Sequence, residues 1–342
     1  MENPHMVQKN TGIQVATAGE ALIDMIRGVD GRFEPCIGGA VYNLSRALAR
    51  QSIETLYLNP LSRDRFGRLL AAGLEEDGVH LAEPAPVVEV TSLAVVSVSE
   101  AGHPDYAFYR EGVADRATHA ARLTQACHEA TGLKLVCTGA LALAPDDAST
   151  YLPWLAAQRE AGKVIVIDAN LRPSVMPDLK RYRAHVLTTL QYADVIKVSD
   201  EDLDNLARPG ESALAKARHL LAQSSAQFVA LTLGGAGANL LTRAGQVFSA
   251  RETLELKIQD TVGAGDCFLA GLVTSMLEAG IATDWGSSAV EPLVAKALLQ
   301  NAVASASICV QRRGCVPPGR DEVRTHVAIG TIAFSAVTGA NI

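Results

Sequence analysis

One stretch of the chain combines small residues with an acid in a pattern suited to phosphate chemistry. It reads Asp-Thr-Val-Gly-Ala-Gly-Asp from Asp260 to Asp266, and an apolar segment follows at once. A small-residue loop that enters a helix leaves the first backbone N–H groups of that helix without partners, at the positive end of its dipole. We therefore predict that the amides of Gly263, Ala264 and Gly265 bind the oxygens of a phosphate group.

Asp266 is the acid at the start of this predicted helix, where it can act as an N-cap. A carboxylate beside a phosphate site repels the ligand, so a purely structural acid is unfavourable there. The role that fits is a general base, which removes a proton from a hydroxyl group as that group attacks phosphorus. The alternative is a glycine-rich turn that only begins a helix, which is a common feature.

A second glycine pair, Gly38 and Gly39, also precedes a helical pattern, with apolar residues at positions 40, 41, 44, 47 and 48. This spacing predicts an amphipathic helix that packs against a sheet. Asn43 lies about one turn inside that helix, where its amide can bond a ligand hydroxyl. Asp24 ends an apolar run from 13 to 26, which predicts the first strand, and parallel sheets bind ligands at such strand ends. A surface turn residue is the alternative for Asp24.

Composition excludes several classes of protein. The chain has 342 residues, of which 48% are hydrophobic and 20% charged, so it can bury a large core. A net charge of −7 without a Lys/Arg run argues against a nucleic-acid partner. The six cysteines include no C-x-x-C pair, which indicates neither a zinc site nor a disulfide framework and fits a reducing cytoplasm. No membrane-spanning run or signal sequence is evident, so we expect no membrane association.

Strand-like and helix-like segments alternate after residue 122, which predicts an α/β fold with a parallel sheet wrapped by helices on both faces. Two segments differ, at about 31–38 and 88–112, because their short period-two patterns predict hairpin strands with one wet face. We expect one domain over residues 12–330 with these two segments inserted. Residues 1–11 are expected as a flexible leader and residues 331–342 as a C-terminal tail.

The two glycine motifs, in this order, resemble the two signatures of the ribokinase (PfkB) family of carbohydrate kinases, and the resemblance covers about residues 13 to 320. It implies a ribokinase-like three-layer α/β/α fold, with a mostly parallel central sheet and the hairpin segments as a small β-sheet lid over the sugar. It also implies ATP and Mg²⁺ as cofactors. In this family Asp24 matches the substrate aspartate, and Gly38, Gly39 and Asn43 belong to the sugar site.

Two polar clusters at predicted strand ends resemble looser motifs of the family. The segment from Asp168 to Arg172 resembles D-x-N-x-R, which implies that Asn170 and Arg172 face the phosphates or the sugar. The next cluster, which begins at Lys197 and includes Glu201 and Asp202, takes the place of the N-x-x-E motif that positions magnesium. The carboxylate is one methylene shorter here, and either acid can serve the metal. Pairing with a helix dipole is the plain alternative for both acids.

The remaining motifs concern the nucleotide and a monovalent cation. Thr232, Gly234 and Gly237 follow the family pattern T-x-G-x-x-G, which borders the nucleotide phosphates, and Lys197 is assigned to the same side. Asn301 lies in a predicted helix whose counterpart in the family is beside adenine. The resemblance also implies a potassium ion on the carbonyl groups of Asp260 and Val262.

The substrate is indicated by a pattern at the end of the lid. Residues 108 to 115 read F-Y-R-x-x-x-A-D, which resembles fructokinases within the family and implies that Arg110 bridges the sugar and the transferring phosphoryl group. A solvated surface pair is the alternative for Arg110. Fructose is therefore the first substrate, with 2-keto-3-deoxygluconate, ribose and nucleosides as alternatives. A catalytically silent sugar-binding regulator on the same fold is the alternative of another class, and the intact Asp266 and glycine loop argue against it. A homodimer formed through the lid is a further expectation.

Overall fold

The computed structural model of the chain describes residues 12–28, 30–98, 104–281 and 289–337. The strands of this part, numbered in chain order, are β1 (Val15–Thr17), β2 (Leu22–Arg27), β3 (Phe33–Gly38), β4 (Thr55–Tyr57), β5 (His80–Leu81), β6 (Ser92–Val98), β7 (Pro104–Tyr109), β8 (Leu135–Gly139), β9 (Val164–Asp168), β10 (Val195–Ser199), β11 (Phe228–Thr232), β12 (Ala238–Thr242), β13 (Val247–Glu252) and β14 (Ile332–Val337).

The helices, numbered in the same way, are α1 (Ala40–Arg50), α2 (Arg65–Glu76), α3 (Ala120–Glu129), α4 (Ala148–Glu160), α5 (Leu179–Thr189), α6 (Asp200–Asn205), α7 (Ala213–Gln223), α8 (Ala264–Glu278), α9 (Pro292–Cys309) and α10 (Arg320–Ile329). Short 3₁₀ turns lie at Ala114–Arg116, Ala140–Leu143, Pro145–Asp147, Pro173–Val175, Leu190–Tyr192 and Gly234–Ala236. The expected leader at residues 1–11 and the turn of the lid hairpin lie outside the described residues.

A ten-stranded sheet forms the centre, in the order β14-β13-β12-β11-β10-β9-β8-β1-β4-β5. All neighbouring pairs from β11 to β5 are parallel, and β12, β13 and β14 add antiparallel strands at one side. The expected mostly parallel sheet is therefore confirmed. Because the strands from β11 to β5 are parallel, their carboxyl ends lie along one edge of the sheet, which is where such sheets bind ligands.

Helices cover both faces of this sheet, as expected for three layers. Successive strand residues point to opposite faces, so Ile196 joins the core under α3 to α7 while Val195 joins the core under α1, α8, α9 and α10. Both faces are buried, which explains the continuous apolar runs in the strands.

The second sheet is the lid, with four strands in the order β3-β2-β6-β7. The predicted first strand over 13–26 is wrong in extent, because the chain leaves the central sheet after β1 and enters the lid as β2. Gly19 marks this break, since a side chain there would overlap Val41 of α1. The carboxylate of Glu20 then accepts the amide N–H of Ala40 at 2.9 Å. Asp24 therefore lies on a lid strand and not at an end of the central sheet.

The expected C-terminal tail is also partly wrong, because residues 332–337 form β14 and pair antiparallel with β13. Five of the six residues of this strand are apolar, and the ring of Phe334 stacks on Phe248 of β13 with 6.0 Å between centroids. A short apolar run of this kind is compatible with a strand, and the sequence interpretation left it unused.

Helix α9 is, by length and composition alone, apolar enough to cross a membrane, contrary to the expectation that no such run exists. In the fold it packs against α8, where Gly271 allows the backbone of Asn301 to come close: a Cβ at Gly271 would be 2.6 Å from the Asn301 carbonyl oxygen. Ala295, Leu299 and Ala302 of α9 belong to the core beneath the sheet. Packing within the protein therefore accounts for the apolar composition of this helix.

Candidate active site

Polar residues meet where parallel strands end and α8 begins. Asp168 ends β9, and both of its carboxylate oxygens are 2.9 Å from the Nζ atom of Lys197 in the neighbouring strand β10. The lysine nitrogen is so close to α8 that a Cβ at Gly265 would be 2.9 Å from it. Burial of both charged groups is tolerable because each has an opposite charge beside it. The first turn of α8 therefore lies against a buried ion pair.

Asp266 is in that first turn, but it is not the N-cap that the sequence suggested. Gly263 is the N-cap, with a left-handed φ of 76°, and Asp266 is the third helical residue. Its carboxylate is buried and accepts a hydrogen bond from Nδ2 of Asn43 in α1 at 3.0 Å. Thus the two glycine motifs, far apart in the sequence, bring their polar side chains into direct contact.

The surroundings of Asp266 bring its pKa close to neutral pH. Burial raises the pKa of this carboxyl to about 7, and the negative charge of Asp168 acts in the same direction. Lys197, the hydrogen bond from Asn43, and Arg172 oppose the rise. A carboxylate with a pKa near the working pH is a more effective general base than an ordinary aspartate, because it binds a proton more strongly once it has been deprotonated.

Asn43 has hydrogen-bonding capacity left over. Its side chain is 4% exposed, and its Oδ1 atom has no hydrogen-bond partner among the described residues. A buried acceptor without a partner costs free energy unless a ligand or water donates to it. The free oxygen is therefore consistent with the predicted contact between Asn43 and a ligand hydroxyl.

The glycines of the loop before α8 are required by close contacts. A Cβ at Gly263 would lie 2.2 Å from Sγ of Cys315. The predicted phosphate-binding amides are at this helix start, although the amide of Ala264 already donates to the carbonyl of Thr261 at 3.2 Å. The amides of Gly265 and Asp266 come next in the first turn, where a helix provides no carbonyl partner.

Asp24 and the first glycine pair form the floor of the lid. A Cβ at Gly38 would lie 2.2 Å from Oδ2 of Asp24, and a Cβ at Gly39, whose φ is 110°, would be 2.7 Å from the carbonyl oxygen of Glu20. Burial raises the pKa of Asp24 to about 6, while Arg172 acts to lower it. Both glycines are therefore needed for the carboxylate of Asp24 and the backbone at Glu20 to approach α1.

Glu20 is a polar residue of this region that sequence reasoning missed. It is 2% exposed, one carboxylate oxygen receives the Ala40 amide, and the other oxygen has no partner among the described residues. Burial raises its pKa to about 7. The only sequence signal was an acid inside an apolar run, directly after a glycine.

Arg172 links the lid to the strand ends through charge. Its Nη1 donates to Oδ1 of Asn170 at 2.7 Å, and Asn170 has a left-handed φ of 34°. The guanidinium acts electrostatically on Asp24 and on Asp266. The structure thus brings Arg172 to the two carboxylates that the sequence assigned to substrate and base.

Arg110 is buried in a different network. Its guanidinium lies 3.3 Å from Asp115 and 3.7 Å from Asp147, and it donates to the carbonyl of Leu141. It is therefore not the solvated surface group considered as the alternative. Its electrostatic neighbours include Glu20 at the lid floor, so Arg110 acts on that side of the site.

The two acids expected at magnesium have different positions. Asp202 is buried in a capping box of α6: one carboxylate oxygen accepts the Ser199 amide, and the other accepts the Leu171 amide at 2.7 Å. It therefore ties the end of β10 to the loop after β9. Glu201 is exposed at the same helix start. Carboxylate oxygens such as those of these two acids are the ligands that a hard divalent cation prefers.

Three of the residues expected at the nucleotide lie at the end of β11 and in the turn that follows it. Thr232 ends β11, next to β10, and Gly234 begins the turn that follows. Gly237 has a φ of 99°, and a Cβ there would be 2.2 Å from the carbonyl oxygen of Ala250. These three residues lie at the strand edge.

Asn301 lies on α9, and its backbone carbonyl is next to Gly271 of α8. Its side chain donates to the carbonyl of Ala297 and accepts from Arg320, which is paired with Glu278 in the last turn of α8. Gly271 is about 10 Å along the axis of α8 from the start of that helix, since a helix rises 1.5 Å per residue.

The loop expected to hold potassium is fastened by Asp260. One carboxylate oxygen accepts the Val262 amide at 3.0 Å, and the other accepts the Gly314 amide at 2.9 Å. These bonds fold residues 260–263 against the turn after α9. The carbonyl oxygen of Val262 accepts from the thiol of Cys309 at 3.7 Å.

A buried carboxylate in the first turn of a helix, at the ligand-binding edge of a parallel sheet, is an arrangement expected of a phosphoryl-transfer enzyme. A family model described as pfkB family carbohydrate kinase matches residues 13–321. The chain belongs to the PfkB family of carbohydrate kinases, which use ATP.

Individual relatives agree with this assignment. A fructokinase from Rhizobium leguminosarum bv. trifolii is 33% identical over 267 residues, or 77% of this chain and 79% of that protein. The solved fructokinase from Xylella fastidiosa with bound ATP is 25% identical, covers 94% of this chain and 99% of its own, and has a TM-score of 0.75. A fructokinase from Vibrio cholerae O395 bound to fructose, ADP and a calcium ion is 23% identical over 92% of this chain and 99% of its own, with a TM-score of 0.73. That last likeness concerns the fold alone.

The acidity of Asp266 predicts a pH dependence of catalysis. A general base must be ionised to accept a proton, so the predicted role of Asp266 means that kcat/KM should fall as the pH drops through about 7, the pKa of this group. In Asn43→Ala the midpoint should move to higher pH, since the lost hydrogen bond stabilised the charged form. The measurement is a pH profile with the best sugar substrate. Gln51→Ala removes a buried amide at the other end of α1 and serves as the control. Any titration of ATP itself affects this variant and the other two proteins equally. Equal midpoints in all three proteins would contradict the assignment.

Proposed function

We propose that this carbohydrate kinase transfers the γ-phosphoryl group of ATP to D-fructose and forms fructose 6-phosphate. The observation that carries the chemistry is the buried carboxylate of Asp266, with a pKa of about 7, in the first turn of α8 and in contact with Asn43. An anion site and a base at the same helix start are what an attacking hydroxyl and a phosphate require.

In the proposed reaction, the ionised Asp266 accepts the proton of the terminal hydroxyl of the sugar as its oxygen attacks the γ-phosphorus. The bond from phosphorus to the leaving oxygen of ADP breaks in line with this attack, and the phosphoryl group is transferred to the sugar oxygen. Backbone amides at the start of α8 bind the phosphoryl oxygens, where charge is greatest in the transition state. Asn43 orients the carboxylate, and its free Oδ1 accepts from the sugar.

Two kinds of cation would be held by this chain. Glu201, which is exposed, and Asp202 would hold magnesium and its water molecules, and the carbonyl groups of Asp260 and Val262 would hold potassium. When bound, magnesium offsets the negative charge of the nucleotide phosphates. Lys197 is fixed by Asp168 and contributes positive potential behind Gly265.

The lid supplies the sugar side of the proposed site. Asp24 on β2, Gly38 and Gly39 before α1, and Arg172 at the strand ends converge from the lid and the central sheet. Closure of this sheet over the sugar would exclude water, which otherwise competes with the sugar as phosphoryl acceptor.

Fructose is favoured over other sugars by the F-Y-R-x-x-x-A-D pattern that contains Arg110 and by the names of the relatives. The Vibrio cholerae protein binds fructose and ADP. Within the same family, 2-keto-3-deoxygluconate, ribose and nucleosides are the alternative substrates, since a few side chains that face hydroxyl groups decide among them. A sugar-binding regulator is the alternative of another class, but a regulator has no need of a base tuned to neutral pH.

A substrate panel tests the proposal. Release of ADP from MgATP should be fastest, as kcat/KM, with fructose among fructose, 2-keto-3-deoxygluconate, ribose, tagatose and adenosine. It should stop when a chelator removes magnesium and rise when K⁺ replaces Na⁺. A higher kcat/KM with another acceptor would refute fructose and keep the kinase. Silence across the panel with detectable sugar binding would favour the regulator.

A single substitution tests the base. Asp266→Asn keeps the size and hydrogen-bonding shape of the side chain but removes its proton affinity, so kcat should fall by about a hundredfold or more while sugar binding persists. Steady-state kinetics and calorimetric titration with the sugar measure the two effects. Asp146→Asn, an exposed acid paired with Arg181, is the matched control and should retain activity. Turnover near the wild-type value in Asp266→Asn would show that another group is the base.

We also propose that the protein is a cytoplasmic homodimer that associates through the lid. Large apolar side chains are exposed there: Ile26 is 40%, Phe33 44% and Tyr109 61% exposed. Strands β3 and β7 are the open edges of the lid sheet. All six cysteines are free, which fits a reducing compartment, and cell fractionation would test that location.

Sedimentation velocity tests the association. The protein should sediment as a species of twice the chain mass of 36.0 kDa, and Phe33→Glu should shift it to the monomer, because a charge would be buried in the interface. Leu293→Glu changes an apolar residue that is 81% exposed on α9, outside the lid, and should leave the dimer intact. A monomeric wild-type protein would refute the proposal.

A further inference from the structure

Three cysteines that are distant in sequence meet next to the start of α8. Cys267 lies in the first turns of α8, Cys309 is the last residue of α9, and Cys315 is in the loop before α10. Their Sγ atoms all lie within 4.8 Å of one another. Among the described residues, no other group of three or more His, Cys, Asp or Glu side chains has its ligand atoms this close together. The sequence contains no C-x-x-C pair and predicted no such cluster.

The fold holds the three sulfur atoms in place from three sides. Helices α8 and α9 are fixed against each other by the close backbone contact at Gly271. The loop that carries Cys315 turns at Gly314, which has a φ of 69°, and the amide of Gly314 donates to the carboxylate of Asp260. The cluster is therefore prearranged by packing and hydrogen bonds, so a ligand would not have to order these segments.

The chemistry of the cluster selects a class of ligand. Thiolates are soft donors that bind d¹⁰ metal ions, with Zn–S bonds of about 2.3 Å, so sulfur atoms around one zinc ion stand about 3.8 Å apart. The three sulfur atoms would have to move closer together by only about 1 Å or less to reach that spacing. Cys267 and Cys309 are fully buried, whereas Cys315 is half-buried. A water molecule would complete four ligands around the ion.

We propose that Cys267, Cys309 and Cys315 form a binding site for one thiophilic d¹⁰ metal ion such as Zn²⁺. Binding forms three metal–sulfur bonds and releases the thiol protons to solvent. This inference goes beyond the kinase reaction and does not depend on which sugar the protein phosphorylates, because metal binding is measured without sugar or nucleotide.

A metal ion bound to the three cysteines would restrain the loop of residues 260–263 before α8. Cys267 follows Asp266 directly, Cys315 packs against Gly263, and Sγ of Cys309 lies 3.7 Å from the carbonyl oxygen of Val262. Drawing the sulfur atoms around an ion moves Cys315 relative to Gly263, which is the N-cap of α8. Since displacement of catalytic groups by about 1 Å can cost on the order of a hundredfold in rate, metal binding should inhibit the enzyme.

Cadmium is the spectroscopic probe for this site, since its thiolate complexes absorb in the ultraviolet. Titration of the reduced, chelator-treated protein with Cd²⁺ should saturate at one ion per chain with a thiolate-to-metal charge-transfer band. Cys315→Ser should lose this band. Cys36→Ser replaces a cysteine that is also half-buried but outside the cluster, and it should keep the band. A missing band in wild type, or the same band in Cys315→Ser, would refute the site.

Alkylation of the wild-type protein gives a second test, which needs no substituted protein. Zn²⁺ should slow the modification of Cys315 by iodoacetamide by about tenfold or more, since a metal-bound thiolate is a poorer nucleophile, and it should leave Cys36 unaffected. Mass spectrometry of the peptides measures both rates. Equal protection of both cysteines, or of neither, would overturn the proposal.

Inhibition is tested on Zn²⁺-loaded protein from which free ions have been removed. Its kcat should be about tenfold or more below that of the chelator-treated protein and should return when a chelator is added. Cys315→Ser should show no difference between the two treatments. A loaded wild-type protein with unchanged kcat would refute the restraint on the loop.

Discussion

The structure depends on one carboxyl group that is buried and can still ionise. Asp266 is withdrawn from water, which raises its pKa to about 7, and the opposing effects of Lys197, Asn43 and Arg172 prevent a further rise. Lys197 can stay buried because Asp168 lies beside it. The central sheet places this pair under the start of α8, α1 delivers Asn43, and the loop after β9 delivers Arg172. Each layer of the fold thus contributes one group that sets the charge of a single acid.

Features that depend on local chain geometry were predictable from the sequence. The glycine loop before α8, the glycine pair before α1 and the alternation of strands and helices each follow from residue type and spacing over short ranges. The structure confirms the fold class and the mostly parallel sheet. It also puts Asn43 in contact with Asp266, which neither motif alone indicates.

Features that depend on distant contacts were not predictable in the same way. The apolar run over 13–26 looks continuous, and only the approach of α1 to Gly19 and Glu20 splits it between two sheets. The three cysteines are unremarkable in sequence because no short-range spacing relates them, and the packing of α8 on α9 creates the cluster. The strand at 332–337 is a short, mostly apolar segment, and its partner β13 lies far back in the chain.

The position of β14 has a consequence for the synthesis of the protein. Residues 332–337 pair with β13, so while the ribosome still holds them, the edge of the central sheet is β13, with unpaired backbone groups. Open strand edges recruit other chains, and partly made proteins are exposed to this hazard during translation. The nascent chain therefore contains the glycine loop before α8 and all strands of the lid before this edge is paired. Premature termination shortly before residue 332 would release a chain with an open sheet edge, which is prone to aggregate.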